Sequence, residues 1–124
     1  MVATQFEVIE YIRANFSYSE HTNDFIKVVF GVSEGRSQLV YVLVTNFDVQ
    51  FKSIFGTVND FSHQEALEAN ADYSLGIQLD GELYMVKHVV LLENLELLQI
   101  RDGFYLVAEI ADLLERQLKG DDTL

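Results

Sequence analysis

The chain has 124 residues, of which 49% are hydrophobic and 12% aromatic, and its formal net charge is −12. A domain of this length can bury a core without disulfides, and its apolar content argues against wholesale disorder. The charge disfavours nucleic acids and anionic membranes as partners, and its simplest role is solubility, with steering of a basic partner as the alternative.

The sequence contains no Cys, which excludes disulfides, thiolate zinc sites and cysteine nucleophiles. The N-terminus lacks the basic region and apolar run of a signal peptide. No apolar stretch reaches the roughly 18 residues that span a bilayer. We therefore expect one cytoplasmic domain over residues 1–124, with a disordered tail at 121–124.

The first predicted element is a helix over residues 5–16. Thr4 can cap its N-terminus, and Glu7 three residues later completes a Thr-x-x-Glu capping box. Apolar residues at helical spacing give it one face that should pack on a sheet. The polar stretch 18–24 that follows is typical of a loop.

Three strands are predicted next, over residues 25–32, 39–45 and 49–55. A two-residue turn at 34–35 would pair Phe30 with Leu39, and would place Val29 with Val40 on the second face. Residues 39–44 form an unbroken apolar run, which is typical of a strand covered on both faces.

A short helix over 63–70 follows, with Ser62 as its cap and Glu65 closing a second capping box. The stretch 73–91 then predicts a hairpin with Asp80 and Gly81 in its turn, because both central positions of a type I′ turn need a positive φ.

This turn pairs Leu79 with Glu82. It places four apolar side chains on one face: Leu75, Ile77, Tyr84 and Val86. The last predicted element is a long helix that starts near Asn94, contains Gly103 as a weak point and ends before Gly120.

The predicted order is α-β-β-β-α-β-β-α, an α+β domain with a five-stranded, mainly antiparallel sheet and helices one and three on one face. One helical layer leaves the second sheet face uncovered although its strands are apolar. Such a patch usually marks an interaction surface, and a symmetric homodimer is the most economical cover. The expected interface residues lie on the second helix and the second hairpin: Ala66, Leu67, Leu83, Met85 and Val89.

Several segments resemble the YbjN-like proteins, within the type III secretion chaperone-like family. They are residues 34–38 leading into LVYVLV, residues 66–70, 75–77 and 81–84, 92–95, and 110–115 followed by 120–121. The resemblance covers about residues 6–121. It implies a five-stranded sheet, three helices and a homodimer. For the secretion chaperones it also implies binding of a partner polypeptide in non-globular form, without nucleotide or catalysis. Asn70 and Gly76 match the family's helix-to-strand junction, where the resemblance implies a structural role.

No motif for catalysis, cofactor binding or metal binding stands out. His21, His63 and His88 lack metal-ligand spacing, and a partly buried structural histidine is the favoured interpretation of His88. No Ser lies in a nucleophile-elbow motif, and no glycine-rich loop leads from a strand into a helix. The carboxylates around the second helix are best interpreted as a solvated face.

The leading hypothesis is therefore a non-enzymatic homodimeric protein-binding module of chaperone-like or regulatory type. The alternative is a small-molecule-binding protein or enzyme with a pocket between helices one and three and the sheet. Four side chains would line that pocket: Tyr11, Tyr84, His88 and Tyr105. A third hypothesis is a structural component of a larger assembly with a fixed partner.

Overall fold

The computed structural model describes residues 3–22, 25–32 and 35–119, apart from the side chain of His21. Its three helices are α1 (Gln5–Asn15), α2 (His63–Asn70) and α3 (Ile100–Lys119). Its six strands are β1 (Tyr18–Thr22), β2 (Phe25–Gly31), β3 (Ser37–Val44), β4 (Asp48–Thr57), β5 (Gly76–Asp80) and β6 (Leu83–Leu91). The predicted α+β class is confirmed. The predicted tail at 121–124 and Gly120 lie outside the described residues.

The strands form one antiparallel sheet in the order β1-β2-β3-β4-β6-β5. The sheet has six strands rather than the predicted five, because residues 18–22 form the edge strand β1 and not a loop. The sequence of this strand, YSEHT, is polar because an edge strand on the rim of a sheet stays in contact with water. Apolar alternation, the signal used to find strands, is therefore missing there.

The first two helices begin where the sequence predicts. The Thr4 hydroxyl accepts from the Glu7 N–H at 3.2 Å, and the Glu7 carboxylate accepts from the Thr4 N–H at 2.9 Å. Ser62 and Glu65 form the same reciprocal pair at the start of α2. Each box satisfies two backbone donors that have no partner within the helix.

The predicted register of the β2–β3 hairpin is wrong by one residue. The Val32 N–H donates to the Arg36 carbonyl at 2.9 Å. This pair encloses three residues rather than two, the last being Gly35 with a φ of 73°. A one-residue slip moves a whole strand to the other face. Val40 therefore lies opposite Val28 in the core and not beside Val29 on the second face.

The register of the β5–β6 hairpin differs from the prediction by two residues, which leaves the faces unchanged. Asp80 pairs with Leu83, so the loop is Gly81-Glu82, with Gly81 at a φ of 62°. An even shift keeps each side chain on its side of the sheet. The predicted face is confirmed, since Leu75, Ile77, Tyr84 and Val86 all pack on or within the core.

The third helix begins later than predicted. Two short 3-10 turns, Leu92–Asn94 and Leu97–Gln99, precede its first residue, Ile100. A reciprocal pair between Glu96 and Gln99 stabilises the second turn. The helix then packs on the centre of the sheet so closely that a Cβ on Gly103 would lie 2.5 Å from the Phe51 ring.

All three helices lie on the same side of the sheet. Their apolar residues and the inward residues of the strands form one core, in which Phe104 meets Phe51 edge to face at 5.3 Å between ring centroids. A second aromatic cluster stacks under α2, with Phe61 4.9 Å from Tyr84. The opposite side of the sheet, called the open face below, has no helix of the described residues packed on it.

Candidate functional site

The central row of the open face is built by the strand register. Lys27 lies opposite Tyr41, Tyr41 opposite Lys52, and Lys52 opposite Lys87. Directly opposed residues point to the same side of a sheet. We call Lys27, Tyr41, Lys52 and Lys87 the lysine row. It crosses β2, β3, β4 and β6, and with about 4.8 Å between neighbouring strands it spans roughly 15 Å.

Apolar side chains flank the lysine row on both sides. Two residues along the strands in one direction, the register places a set consisting of Val29, Leu39, Ile54 and Met85. Two residues along in the other direction, it places Phe25, Leu43 and Val89, and the polar Gln50 interrupts this set on β4. Each set lies about 7 Å from the lysine row. We call these sets the two apolar rows.

The apolar rows are partly open to solvent. Val29 is 59% exposed and Val89 is 43% exposed, and Leu39 is also exposed. Phe25 and Tyr41 stack with their ring centroids 5.9 Å apart. Val29 and Leu39 are exposed beside this aromatic pair, and Val89 is exposed two strands away, so the open face is a candidate interaction surface.

The lysines of this row differ from the other basic residues of the chain. Arg13 pairs with Glu10 and Glu20, and Lys119 lies 3.6 Å from Asp60 and 3.7 Å from Glu115. Arg101 sits 5.0 Å above the centre of the Phe16 ring. Arg36 and Arg116 both contact Asp112. Within the described ranges, by contrast, Lys27, Lys52 and Lys87 make no ion pair.

Carboxylates on the described open face stand at its ends. Asp48 and Asp80 point to this side by strand alternation, each four residues from the lysine row and at opposite ends of the sheet. Four residues of strand span about 13 Å, beyond a Debye length at 0.1 M salt. A chain with a net charge of −12 therefore has a locally positive sheet centre.

A buried polar network lies on the helix side. Arg36 Nε donates to Asp112 Oδ1 at 2.8 Å, and Arg116 Nε lies 3.3 Å from Asp112 Oδ2. Nearby, Gln38 Nε2 donates to Glu115 Oε1 at 2.8 Å. Both carboxylates belong to α3, so the network fixes the C-terminal half of this helix against the start of β3. Its groups face one another rather than a cleft.

The predicted interface residues fall on both sides of the sheet. Ala66 is buried in the core, whereas Leu67 beside it is 63% exposed on the outer surface of α2. Leu83, Met85 and Val89 lie on the open face, where Leu83 and Val89 are exposed but Met85 is only 5% exposed. The structure does not gather the five residues into one surface.

The four residues of the predicted pocket also lie in different surroundings, and Tyr11 packs beside Phe16 with 6.4 Å between the ring centroids. Tyr84 is buried in the aromatic cluster under α2, and its hydroxyl donates to the Phe61 carbonyl at 3.4 Å. Tyr105 is exposed, while the His88 ring stacks on Phe51 at 6.0 Å. Burial lowers the pKa of His88 below its usual 6.5, so the ring is neutral at pH 7.

Two clefts are found, and of the four predicted pocket residues Tyr84 alone lines one of them, the second. One, of about 420 Å³, lies between the start of α1 and the β3–β4 turn and includes Gln5, Phe47 and Leu92. The other, of about 180 Å³, lies between α2 and β5 and includes Leu67 and Leu79. Among residues 3–22, 25–32 and 35–119, no three His, Asp or Glu side chains are grouped to hold a metal ion.

Sequence reasoning missed the lysine row. Its members are separated by 11 residues or more in the chain, so no local motif links them. Only the register could have revealed them, and the slip predicted for β2–β3 placed Lys27 opposite Val42 instead of Tyr41.

Comparisons with family models, with curated proteins and with solved structures gave no match. In the part of the chain that the structure describes, no helix is long and apolar enough to cross a bilayer.

Proposed function

We propose that this chain is a non-enzymatic protein-binding module of chaperone-like or regulatory type, and that it docks its partner on the open face of the sheet. One observation supports this proposal above the others. The three rows of the open face combine exposed aliphatic groups with lysines that make no ion pair to a described residue, while α1, α2 and α3 all pack on the opposite side.

The resemblance to the YbjN-like and secretion chaperone-like proteins forms part of the proposal. It is supported by the element order, in which a helix precedes the strands of β2–β4 and a short helix precedes the β5–β6 hairpin and the long α3. The additional edge strand β1 departs from the five-stranded sheet that the resemblance implies. We take from the family only the mode of partner binding and not a role in secretion.

Site-specific photo-crosslinking tests the docking surface. A benzoyl-phenylalanine in place of Leu39, an exposed residue of one apolar row of the open face, should give a discrete adduct in cell extract. The control is the same group in place of Tyr105, which is exposed on the helix side. Adducts from position 105 and none from position 39 would place the partner on the helices and refute the proposed docking surface.

A homodimer is the second candidate, and it fits a different surface. Leu67 and Leu79 are both exposed and line the same cleft between α2 and the edge strand β5. Edge strands of two copies can pair across a two-fold axis while such leucines pack beside them. This site includes the helix expected to contribute to a dimer.

Light scattering of the purified chain decides whether this second candidate holds. A dimer at tens of micromolar that becomes monomeric in Leu67→Ser is the result expected of an interface at α2 and β5. A wild-type monomer at that concentration rules out the homodimer and leaves the open face unaffected.

A further inference from the structure

We propose that the partner segment recognised by the open face is acidic, with carboxylates that bind the lysine row and apolar side chains that pack on the two apolar rows. This inference rests on the proposed function and names the chemistry of the partner. It runs against the overall charge of the chain, which by itself would favour a basic partner.

The first argument comes from the distribution of charge. The described cations of the helix side are each placed against a carboxylate or an aromatic ring, whereas Lys27, Lys52 and Lys87 make no ion pair with a described residue. Ammonium groups without an ion-pair partner on a partly apolar surface can bind carboxylates of another chain.

The second argument comes from Lys52 and Lys87, which are directly opposed on neighbouring strands. Like charges in this position destabilise a sheet. A carboxylate bound between the two ammonium groups would remove that repulsion. The free protein therefore has an unfavourable pair that an acidic ligand converts into a favourable site.

The third argument comes from the spacing of the rows. The lysine row spans roughly 15 Å, and an apolar row lies about 7 Å to each side. A segment of about ten residues in a helix, or about five in a strand, has this length. Its carboxylates would face the row, the Tyr41 hydroxyl would donate to one of them, and its apolar side chains would meet Val29 or Val89.

A second copy of this chain is a poorer occupant of the same surface. A two-fold axis through the centre of the open face would bring the lysine row of one copy against that of the other. Anionic membranes offer negative charge as well, but a chain with a net charge of −12 is repelled by them everywhere except at this row.

The test uses a displayed library of random peptides of about twelve residues, long enough to cross the lysine row. Peptides selected on the full chain should be rich in Asp and Glu combined with Leu, Ile or Phe. Synthetic copies should bind the combined variant Lys27→Gln, Lys52→Gln and Lys87→Gln roughly tenfold or more weakly than wild type, and should also bind more weakly at high salt.

A matched control separates the lysine row from net charge. Asn15→Asp, Gln64→Glu and Gln117→Glu place the same three units of negative charge on exposed positions of the helices. This control should bind the peptides within about twofold of wild type, because its changes are on the far side of the sheet. Equal losses in the two triple variants would overturn the inference, because net charge alone would then explain them.

A double variant distinguishes this inference from the proposed function. Val29→Ser with Val89→Ser removes exposed apolar contacts without opening the core. If the selected peptides are non-acidic and lose binding in the double Val→Ser variant but not in the triple Lys→Gln variant, the partner is not acidic. The proposed docking surface would still hold. A library with no peptide sensitive to either variant would overturn both.

Two further results also count against an acidic polypeptide. Phosphatidylserine vesicles that bind wild type but not the triple Lys→Gln variant, in the absence of any selected acidic peptide, would assign the row to a membrane. A wild-type dimer that the triple Lys→Gln variant strengthens would assign the open face to a second copy.

Discussion

The Asp112 carboxylate has no solvent exposure and contacts the guanidinium groups of Arg36 and Arg116. Removing one partner of a buried ion pair leaves the other charges without compensation, which is strongly destabilising. We predict that Asp112→Ala lowers the free energy of unfolding by about 3 kcal/mol. Asp102→Ala, at an exposed position in the first turn of the same helix, should cost about 0.5 kcal/mol. Urea denaturation of both variants checks the difference, and equal costs would contradict the role of the network.

His88 makes the stability of the fold depend on pH. Because burial lowers its pKa in the folded state below 6.5, the unfolded chain binds the proton more tightly. The contribution of neutral His88 to the unfolding free energy is therefore fully present above the pKa that His88 has in the unfolded chain. It is lost as the pH falls below that value, until the ring is protonated in the folded protein as well.

The variant His88→Gln isolates this dependence. The difference in unfolding free energy between wild type and His88→Gln should shrink as the pH falls from about 7.5 to about 5.5. Urea midpoints at several pH values measure it. A difference that stays constant over this range would show that the ring titrates alike in the folded and unfolded states.

At the scale of elements, the packing of α3 on β4 depends on Gly103. Alanine normally stabilises the interior of a helix by about 1 kcal/mol relative to glycine. Here its Cβ would lie 2.5 Å from the Phe51 ring, which is itself fully buried. The clash outweighs the propensity, and we predict that Gly103→Ala lowers the unfolding free energy by about 2 kcal/mol.

Gly31→Ala is the matched control for Gly103→Ala, since nothing lies within 4 Å of a Cβ at Gly31. Its unfolding free energy should stay at or slightly above that of wild type. Thermal unfolding of the pair measures both effects. A stabilised Gly103→Ala would mean that α3 lies farther from the sheet than the structure has it.

The pairing of β4 with β6 includes one unfavourable contact, Lys52 opposite Lys87. We predict that Lys52→Glu raises the unfolding free energy by about 0.5 kcal/mol, because it turns a like pair into an opposite pair. Lys27→Glu should leave stability nearly unchanged, since Lys27 lies opposite Ser19 and Tyr41. Equal effects in the two variants would indicate a general charge effect instead of a cross-strand one.

The elements also explain how far the sequence predicts this fold. Thr4 with Glu7 and Ser62 with Glu65 are local signals, and both helix starts follow from them. The β2–β3 register depends on whether two or three residues lie in the turn, which composition does not decide. The edge strand β1 has no apolar alternation to reveal it. The lysine row requires three registers at once, so it was beyond reach from the sequence.

For the whole molecule, three helices shield one side of a six-stranded sheet and leave the other side with lysines between apolar rows. Lys52 and Lys87 form a like-charge pair, so other residues at these positions would give a higher unfolding free energy. The two lysines lie on the same face as the exposed Val29 and Val89. Residues that bind a ligand or partner often lower the stability of the free protein. In the proposed function, the sheet is a scaffold whose core is built with α1, α2 and α3 and whose open face binds the partner.

The most direct measurement is a methyl NMR spectrum of the labelled full chain with and without a selected peptide. We predict shifts of the methyl signals of Val29, Leu39 and Val89 on the open face, while the signals of Val8 and Val107, buried on the inner faces of α1 and α3, stay in place. Shifts confined to Leu67 and Leu98 on the helix side, with the open face unchanged, would contradict the account.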